Sequence, residues 1–156
     1  MKIKFFNIKL IFCFVYIVLL APVASAEIKK LVTHGGFAFE TADGQKNGAV
    51  YISFFNNSNQ NFIINSVKTE VAMKAEIHDV KIKDDIVKMV MLESLNIGKK
   101  EQVFLQPGGK HVMLFGLKKK LAEGEKFKIT FTFQNEDEIT ADVFVVNKNL
   151  RENYIN

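Results

Sequence analysis

The sequence predicts an all-β domain, a sandwich or barrel, that follows an N-terminal export signal. Apolar and polar residues alternate in short segments, which is typical of strands with one buried face. Turn-forming residues separate these segments at intervals of about 8–12 residues, as in β-sandwiches. After the signal, no stretch shows the apolar period of about 3.6 residues that marks a helix. The 156 residues of the chain are the length of one domain.

The first 26 residues have the layout of a secretory signal peptide. Three lysines precede a run of twelve apolar residues, 10–21, and Ala24-Ser25-Ala26 supplies the small residues of a cleavage site. The run is shorter than the roughly 20 residues of a membrane span. We therefore expect export, cleavage after Ala26 and no stable membrane insertion of the mature chain. The expected divisions are 1–26 for the signal peptide, 27–147 for the β-domain and 148–156 for a short polar tail.

Two counts argue against whole classes of function. The full chain has 21 basic and 17 acidic residues, and loss of the three lysines of the signal lowers the net charge from +4 to +1. This near-neutral balance gives no support for a nucleic-acid partner. The single cysteine, Cys13, lies inside the signal, so the mature chain has no thiol for a disulfide, a thiolate metal site or a cysteine nucleophile.

The first four predicted strands are apolar, partly β-branched segments that end at turn-forming residues. In chain order they are residues 50–55, 62–67, 75–82 and 86–92. Asparagine and serine residues separate the first two strands, and Lys83-Asp84-Asp85 joins the last two. The third and fourth strands are therefore predicted to form a hairpin.

The remaining four strands are predicted from turns and from clear alternation. They are residues 103–105, 111–115, 126–133 and 139–145. Pro107-Gly108-Gly109 joins the first pair, and an acidic turn joins the second pair. Apolar residues alternate with lysine and threonine in the last hairpin, which favours one buried and one exposed face. His34, which precedes two glycines, is expected in a loop.

Two histidines and three methionines lie within 36 residues: His78, Met89, Met91, His111 and Met113. The mature chain has only one further residue of each type. Imidazole and thioether together suit copper(I), whereas zinc prefers thiolate, imidazole or carboxylate, and hard cations need oxygen. The composition therefore indicates a copper(I) site.

Strand geometry is expected to bring these donors together. His111 and Met113 are two residues apart on one strand, so they project to the same face. The preceding hairpin has two possible registers: a two-residue loop puts Met91 opposite His78, and a four-residue loop puts Met89 there. In both registers the three side chains share one face, with directly opposed Cβ atoms about 5 Å apart. An odd-length loop without a bulge would break this arrangement.

Two other classes of function compete with a copper carrier. A metal-free exported sandwich, such as an adhesion or assembly module, would use the methionines to fill the core and the histidines as hydrogen-bonding groups. An enzyme or electron carrier finds less support, because a blue-copper site needs a cysteine thiolate. The paired acidic residues of the chain also occur in turns rather than in a catalytic motif.

The spacing of four of these residues resembles that of a known family. Ten residues separate His78 from Met89, and His111-x-Met113 follows after twenty-one more. This is the His-x10-Met-x21-His-x-Met pattern of the PCu(A)C-type periplasmic copper chaperones. The segment LQPGGKHVMLFGLKKKLAEGEKFKITFTF also resembles the family, as do AVYISFFN and AEIHDV upstream. The resemblance covers residues 48–146, nearly the whole mature domain.

The resemblance implies a cupredoxin-like Greek-key sandwich that binds copper(I) in the periplasm and is not an enzyme. It implies four metal ligands: His78, Met89, His111 and Met113. The implied partner is a copper-accepting protein, either the cytochrome c oxidase subunit that holds the binuclear copper centre or a Sco-type thiol protein. We expect the carrier to be a monomer.

One position departs from the family pattern. Asp79-Val80 stands where Glu-Met often follows the first histidine. The change removes no ligand but alters the surroundings of the implied site. Met91 is then expected to be a reserve ligand or part of the rim of the site.

Overall fold

Ten strands make up most of the described chain. The computed structural model describes residues 30–83 and 86–151, so the predicted signal peptide and Cys13 lie outside the described residues. The elements are β1 (Leu31–Phe39), β2 (Asn47–Asn56), β3 (Phe62–Thr69), β4 (Ala72–Lys83), β5 (Ile86–Met91), β6 (Leu95–Ile97), β7 (Gln102–Leu105), β8 (His111–Leu117), β9 (Lys126–Phe133), β10 (Glu138–Val146) and a 3₁₀ helix (Lys148–Arg151). Over these two ranges, no helix has the length and hydrophobicity that a membrane crossing requires.

All eight predicted strands are present, with ends that differ by three residues at most, but β1 and β6 were not predicted. β1 contains His34, so the expectation of a loop there is wrong. Gly35 has a φ of +68°, and the pairing of β1 with β2 shifts between His34 and Phe37. This bulge interrupts the alternation by which the strand would be recognised. β6 has only three residues, too few for a periodic pattern.

The strands form one sheet in which neighbours are often not consecutive in sequence. The order is β5-β4-β8-β2-β1-β10-β9-β3-β6, and β7 pairs with β2 beyond the end of β8. β1 runs parallel to β10, and the other strand pairs described are antiparallel. Crossovers of this kind are typical of Greek-key sandwiches.

The sheet curls around a hydrophobic core. Phe54 of β2 and Phe131 of β9 lie three strands apart in the order, yet their ring centroids are 5.0 Å apart and both side chains are fully buried. A flat sheet could not bring these rings together, because neighbouring strands are about 4.8 Å apart. Further buried residues such as Ile52, Leu114 and Ile129 fill the same core. The predicted all-β sandwich or barrel is confirmed.

Alternation along β8 separates the core from the outer face of the sheet. Val112 and Leu114 are fully buried in the core. His111 and Met113 alternate with them and therefore project from the opposite face. The fold thus presents these two candidate ligands on the outside of the sheet, above β8 and next to the neighbouring strands β4 and β2.

Candidate metal centre

The β4–β5 hairpin adopts the register that puts Met91 opposite His78. The Cα partners are His78 with Met91 and Val80 with Met89. The last Cα pair flanks residues 84–85, so two residues connect the strands. Met89 lies one diagonal step from His78 on the same face. Of the two registers that the sequence allows, the structure has the one with the two-residue loop.

Strand β8 adds the second histidine and the third methionine to this face. His78 pairs with His111, and Glu76 pairs with Met113. Directly opposed residues of neighbouring strands project to the same face. The outer face of β5, β4 and β8 therefore carries both candidate histidines and all three candidate methionines.

His111 is buried and held by the turn that precedes it. The residue is 5% exposed, and its ring Nδ1 donates a hydrogen bond to the carbonyl oxygen of Gly109 at 2.9 Å. Backbone hydrogen bonds from Gln106 to Lys110 and from Gly109 to Gln106 fix that turn. Because a carbonyl oxygen only accepts, Nδ1 carries the proton and Nε2 keeps its lone pair. His111 thus has one nitrogen suited to bind a metal.

Three side chains surround His78. Its ring centroid lies 6.0 Å from that of His111 and 5.9 Å from that of Phe115. Its Nε2 lies 3.0 Å from a carboxylate oxygen of Glu76. The other ring nitrogen, Nδ1, is buried and has no hydrogen-bonding partner among the described residues. A buried polar atom without a partner is costly, and a metal ion would supply the missing interaction.

One cleft of about 540 Å³ is lined by Met89, His111 and Met113. Tyr51 and Phe39 contribute an aromatic wall, and the ring centroid of Tyr51 lies 6.4 Å from that of His111. Met89 is 62% exposed, whereas Met113 is half-buried. The cleft therefore offers two thioethers and one imidazole. His78 is not among its lining residues, although its ring centroid lies 6.0 Å from that of His111.

Met91 belongs to a different part of the surface. It is 50% exposed and lines a separate depression together with Glu76 and Leu92. Its Cα lies opposite that of His78 in the ladder, but its side chain does not line the cleft that holds Met89.

Glu76 places a negative charge beside His78. One carboxylate oxygen lies 2.5 Å from Nζ of Lys74, and the other accepts the hydrogen bond from His78. The hydrogen bond from Lys74, followed by that from His78, lowers the pKa of Glu76 below its ordinary value. The carboxylate is therefore ionised at neutral pH, and a nearby negative charge favours the binding of a cation.

The donor set suits a soft metal rather than a hard one. In the described part of the chain, no group of three or more histidine, cysteine, aspartate or glutamate side chains is arranged to hold a metal ion. A site with three or more side-chain ligands on this face would therefore have to use methionine sulfur. Imidazole together with thioether is the combination that suits copper(I).

Two neighbours of the histidines were missed by sequence reasoning. Glu76 is two residues from His78 on a predicted strand, and this spacing alone could have put both side chains on one face. The contact between Tyr51 and His111 depends on the pairing of β2 with β8, for which the sequence carries no local signal.

A sequence relative is found in Rickettsia prowazekii (strain Madrid E). The protein RP573 of that organism is 29% identical over 104 residues, which are 66% of this chain and 58% of the relative. The chain thus spans less than two thirds of the length of the curated relative that it matches.

Solved structures of PCuAC proteins have the same fold. The apo PCuAC domain from PmoF1 is 28% identical, with a TM-score of 0.62, and the match covers 78% of this chain and 98% of that domain. The solution structure of CuI-DR1885 from Deinococcus radiodurans is 25% identical, with a TM-score of 0.59, and the match covers 80% of this chain and 84% of that protein. These similarities confirm the predicted cupredoxin-like fold and the resemblance to PCu(A)C-type proteins.

A family model also matches most of the chain. The model with the description "Putative lipoprotein LpqE-like" matches residues 24–145. This span contains β1 to β9 and all but the last residue of β10. The chain therefore belongs to the LpqE-like family, and its fold is that of the PCuAC domains.

Proposed function

We propose that this protein is an exported copper(I) chaperone, which binds one copper(I) ion in the periplasm and carries it to a copper-accepting protein. The observation that supports this most directly is the shared outer face of three adjacent strands, which carries two imidazoles and the methionine thioethers. A similar protein of the same fold, CuI-DR1885, carries copper(I) in its solution structure. In this role the ion is cargo, and the protein is not an enzyme.

The ligands in this proposal are His78, Met89, His111 and Met113. Two observations support the imidazole ligands: the buried Nδ1 of His78 has no partner among the described residues, and Nε2 of His111 keeps its lone pair. Neutral thioethers bind without losing a proton and cannot form disulfides. Such a site would therefore keep its ligands in an oxidising compartment.

The uneven exposure of the ligands supports a role in transfer. His111 is 5% exposed, whereas Met89 is 62% exposed and lies on the edge strand β5. A ligand from an acceptor can reach the exposed thioether first and replace it, while the buried imidazole still holds the ion. Copper(I) would then leave through stepwise exchange of ligands.

The acceptor in this proposal is a cytochrome c oxidase subunit with its binuclear copper centre, or a Sco-type protein. The support is the family resemblance and the predicted signal peptide, residues 1–26, which would export the domain 27–147 to the periplasm. In this proposal the carrier acts as a monomer. An acceptor in the same compartment would meet the exposed edge of β5 directly.

A competition titration against a chromogenic copper(I) chelator tests the copper site. The wild-type protein should withdraw one equivalent of copper(I) from the chelator. His111→Ala and Met113→Ala should each weaken binding at least about 100-fold, since even the outer partners of a metal ligand are worth about 10–100-fold. His34→Ala, on β1, is the matched control and should bind like the wild type.

The same titration can contradict the proposal. If a variant with both His78→Ala and His111→Ala competes as well as the wild type does, the imidazoles are not ligands. A metal-free exported module is then the better description of the protein.

A further inference from the structure

Three residues at every second position of β4 form a hydrogen-bonded row on its outer face. Glu76 lies between Lys74 and His78, and each of its carboxylate oxygens has one partner. The oxygen that faces Lys74 lies 2.5 Å from Nζ, and the oxygen that faces His78 lies 3.0 Å from Nε2. The side chains of Glu76 and His78 are only 16% and 13% exposed, so water has little access to this contact.

The contact with Glu76 determines which nitrogen of His78 carries the proton. A carboxylate can only accept hydrogen bonds, so the proton in this contact belongs to Nε2 of the imidazole. In the neutral ring the lone pair then lies on Nδ1. That atom is buried and has no partner among the residues that the structure describes.

His111 has the opposite arrangement. Its Nδ1 donates to the carbonyl oxygen of Gly109, so its lone pair lies on Nε2. The ring centroids of the two histidines are 6.0 Å apart, with an angle of 37° between the ring planes. Two neighbouring imidazoles are therefore held by different hydrogen-bond acceptors, one a side chain and the other a backbone carbonyl.

We propose that Glu76 is a positioning residue that holds His78 in the tautomer protonated at Nε2, so that His78 binds copper(I) through Nδ1 while His111 binds through Nε2. This inference rests on the proposed copper site. Partners of this kind fix the tautomer and orientation of a metal-binding imidazole and make its free nitrogen more basic. Lys74 contributes by occupying the second carboxylate oxygen, which leaves the first directed at His78.

Nitrogen-15 NMR of the metal-free protein tests the tautomer independently of copper. When its ring is neutral, His78 should show a protonated Nε2 and an unprotonated Nδ1. His111 should show the reverse pattern in the same spectrum. A protonated Nδ1 on His78 would overturn the inference, whatever the protein does with copper.

Two variants of Glu76 then test its role. Glu76→Leu removes the acceptor, so His78 should become a mixture of tautomers, and the copper(I) affinity measured against a chelator should fall about 10–100-fold. Glu76→Gln keeps an acceptor oxygen and should retain the Nε2-protonated tautomer and most of the affinity. Glu70→Gln, in the exposed turn before β4, is the control and should change neither measurement.

The possible outcomes separate this inference from the proposed function. An unchanged tautomer and affinity in Glu76→Leu would overturn the positioning role and leave the copper site intact. If the wild type shows the expected tautomer but binds no copper(I), the proposed function fails and the ligand role of Nδ1 fails with it. If Glu76→Leu does not fold, the wild-type tautomer and the behaviour of Glu76→Gln still decide the question.

Discussion

Met89 and Met91 project from the same face of β5 but meet different neighbours. Met89 lines the cleft that also holds His111 and Met113. Met91 lines the depression beside Glu76. Both side chains are at least half exposed, so packing does not fix either of them. The thioether that shares a cleft with two other donors is the better placed of the two to join them on one ion.

Replacing each of these methionines by leucine should therefore have unequal effects. Leucine has a similar volume but no sulfur, so each variant should fold normally. Met89→Leu should weaken copper(I) binding about tenfold or more, which corresponds to about 1.4 kcal/mol. Met91→Leu should change it by less than about threefold, or about 0.7 kcal/mol. Chelator competition measures both values, and a larger loss in Met91→Leu would identify Met91 as the ligand.

At the scale of single residues, the sequence predicts the donors but not their orientation. The period of two along a strand is enough to put His111 and Met113 on one face. The direction of each imidazole depends on an acceptor, which is Glu76 for His78 and the carbonyl of Gly109 for His111. These contacts arise from side-chain conformations and turn geometry, which residue spacing does not specify.

The neighbouring strands β3, β9 and β10 are linked on their outer face by an ion pair. Nζ of Lys68 on β3 lies 2.6 Å from a carboxylate oxygen of Glu138 on β10, and Thr132 of the intervening β9 donates to the same oxygen. The hydrogen bond from Lys68 lowers the pKa of Glu138 below its ordinary value of 4.5. The carboxylate of Glu138 therefore binds a proton less tightly in the folded state than in the unfolded state.

The contribution of this pair to stability should depend on pH. Because the folded pKa of Glu138 is lowered, the stabilisation is present above the unfolded pKa and is lost as the pH falls through the folded pKa. Lys68→Ala should therefore reduce the free energy of unfolding slightly at about pH 7, and by less at about pH 3. Urea unfolding at both pH values measures the difference. Lys128→Ala, on the same face, is the control, and an equal loss for Lys68→Ala at both pH values would contradict the expectation.

At the scale of elements, prediction succeeds where a strand has regular alternation and fails where it does not. β9 has the bounds predicted from the alternation of its residues. β1 was missed because Gly35 and Gly36 lie at a bulge in its middle. The sequence predicts the hairpin of β4 and β5 but allows two loop lengths, both of which keep Met89 and His78 on one face; the structure has the shorter loop.

In the molecule as a whole, the residues that stabilise the fold and the residues of the candidate site lie on opposite faces of the sheet. Core residues such as Phe54 and Val112 are fully buried on one side of the sheet, and the candidate ligands lie on the other side. A metal-free module would need the methionines as core filling, yet Met89 and Met91 are 62% and 50% exposed. Substitution of the exposed methionines should therefore affect metal binding far more than folding.

The path of the chain through the sheet is the part of the fold that sequence patterns do not provide. Alternation identifies strands and faces, but it does not indicate that β8 lies between β4 and β2 or that β1 pairs with β10. These pairings join segments far apart in sequence, and they depend on how the buried faces fit around one core. The pairing of β4 with β8 is also what brings His78 next to His111.

A crystal structure of the protein loaded with one equivalent of copper(I), with anomalous scattering to locate the ion, tests the proposed site most directly. The ion should lie on the outer face of β4, β5 and β8, bonded to the imidazoles of His78 and His111 and to the sulfur atoms of Met89 and Met113. An ion bound elsewhere, for example at His34, with these four side chains uncoordinated, would contradict the proposal.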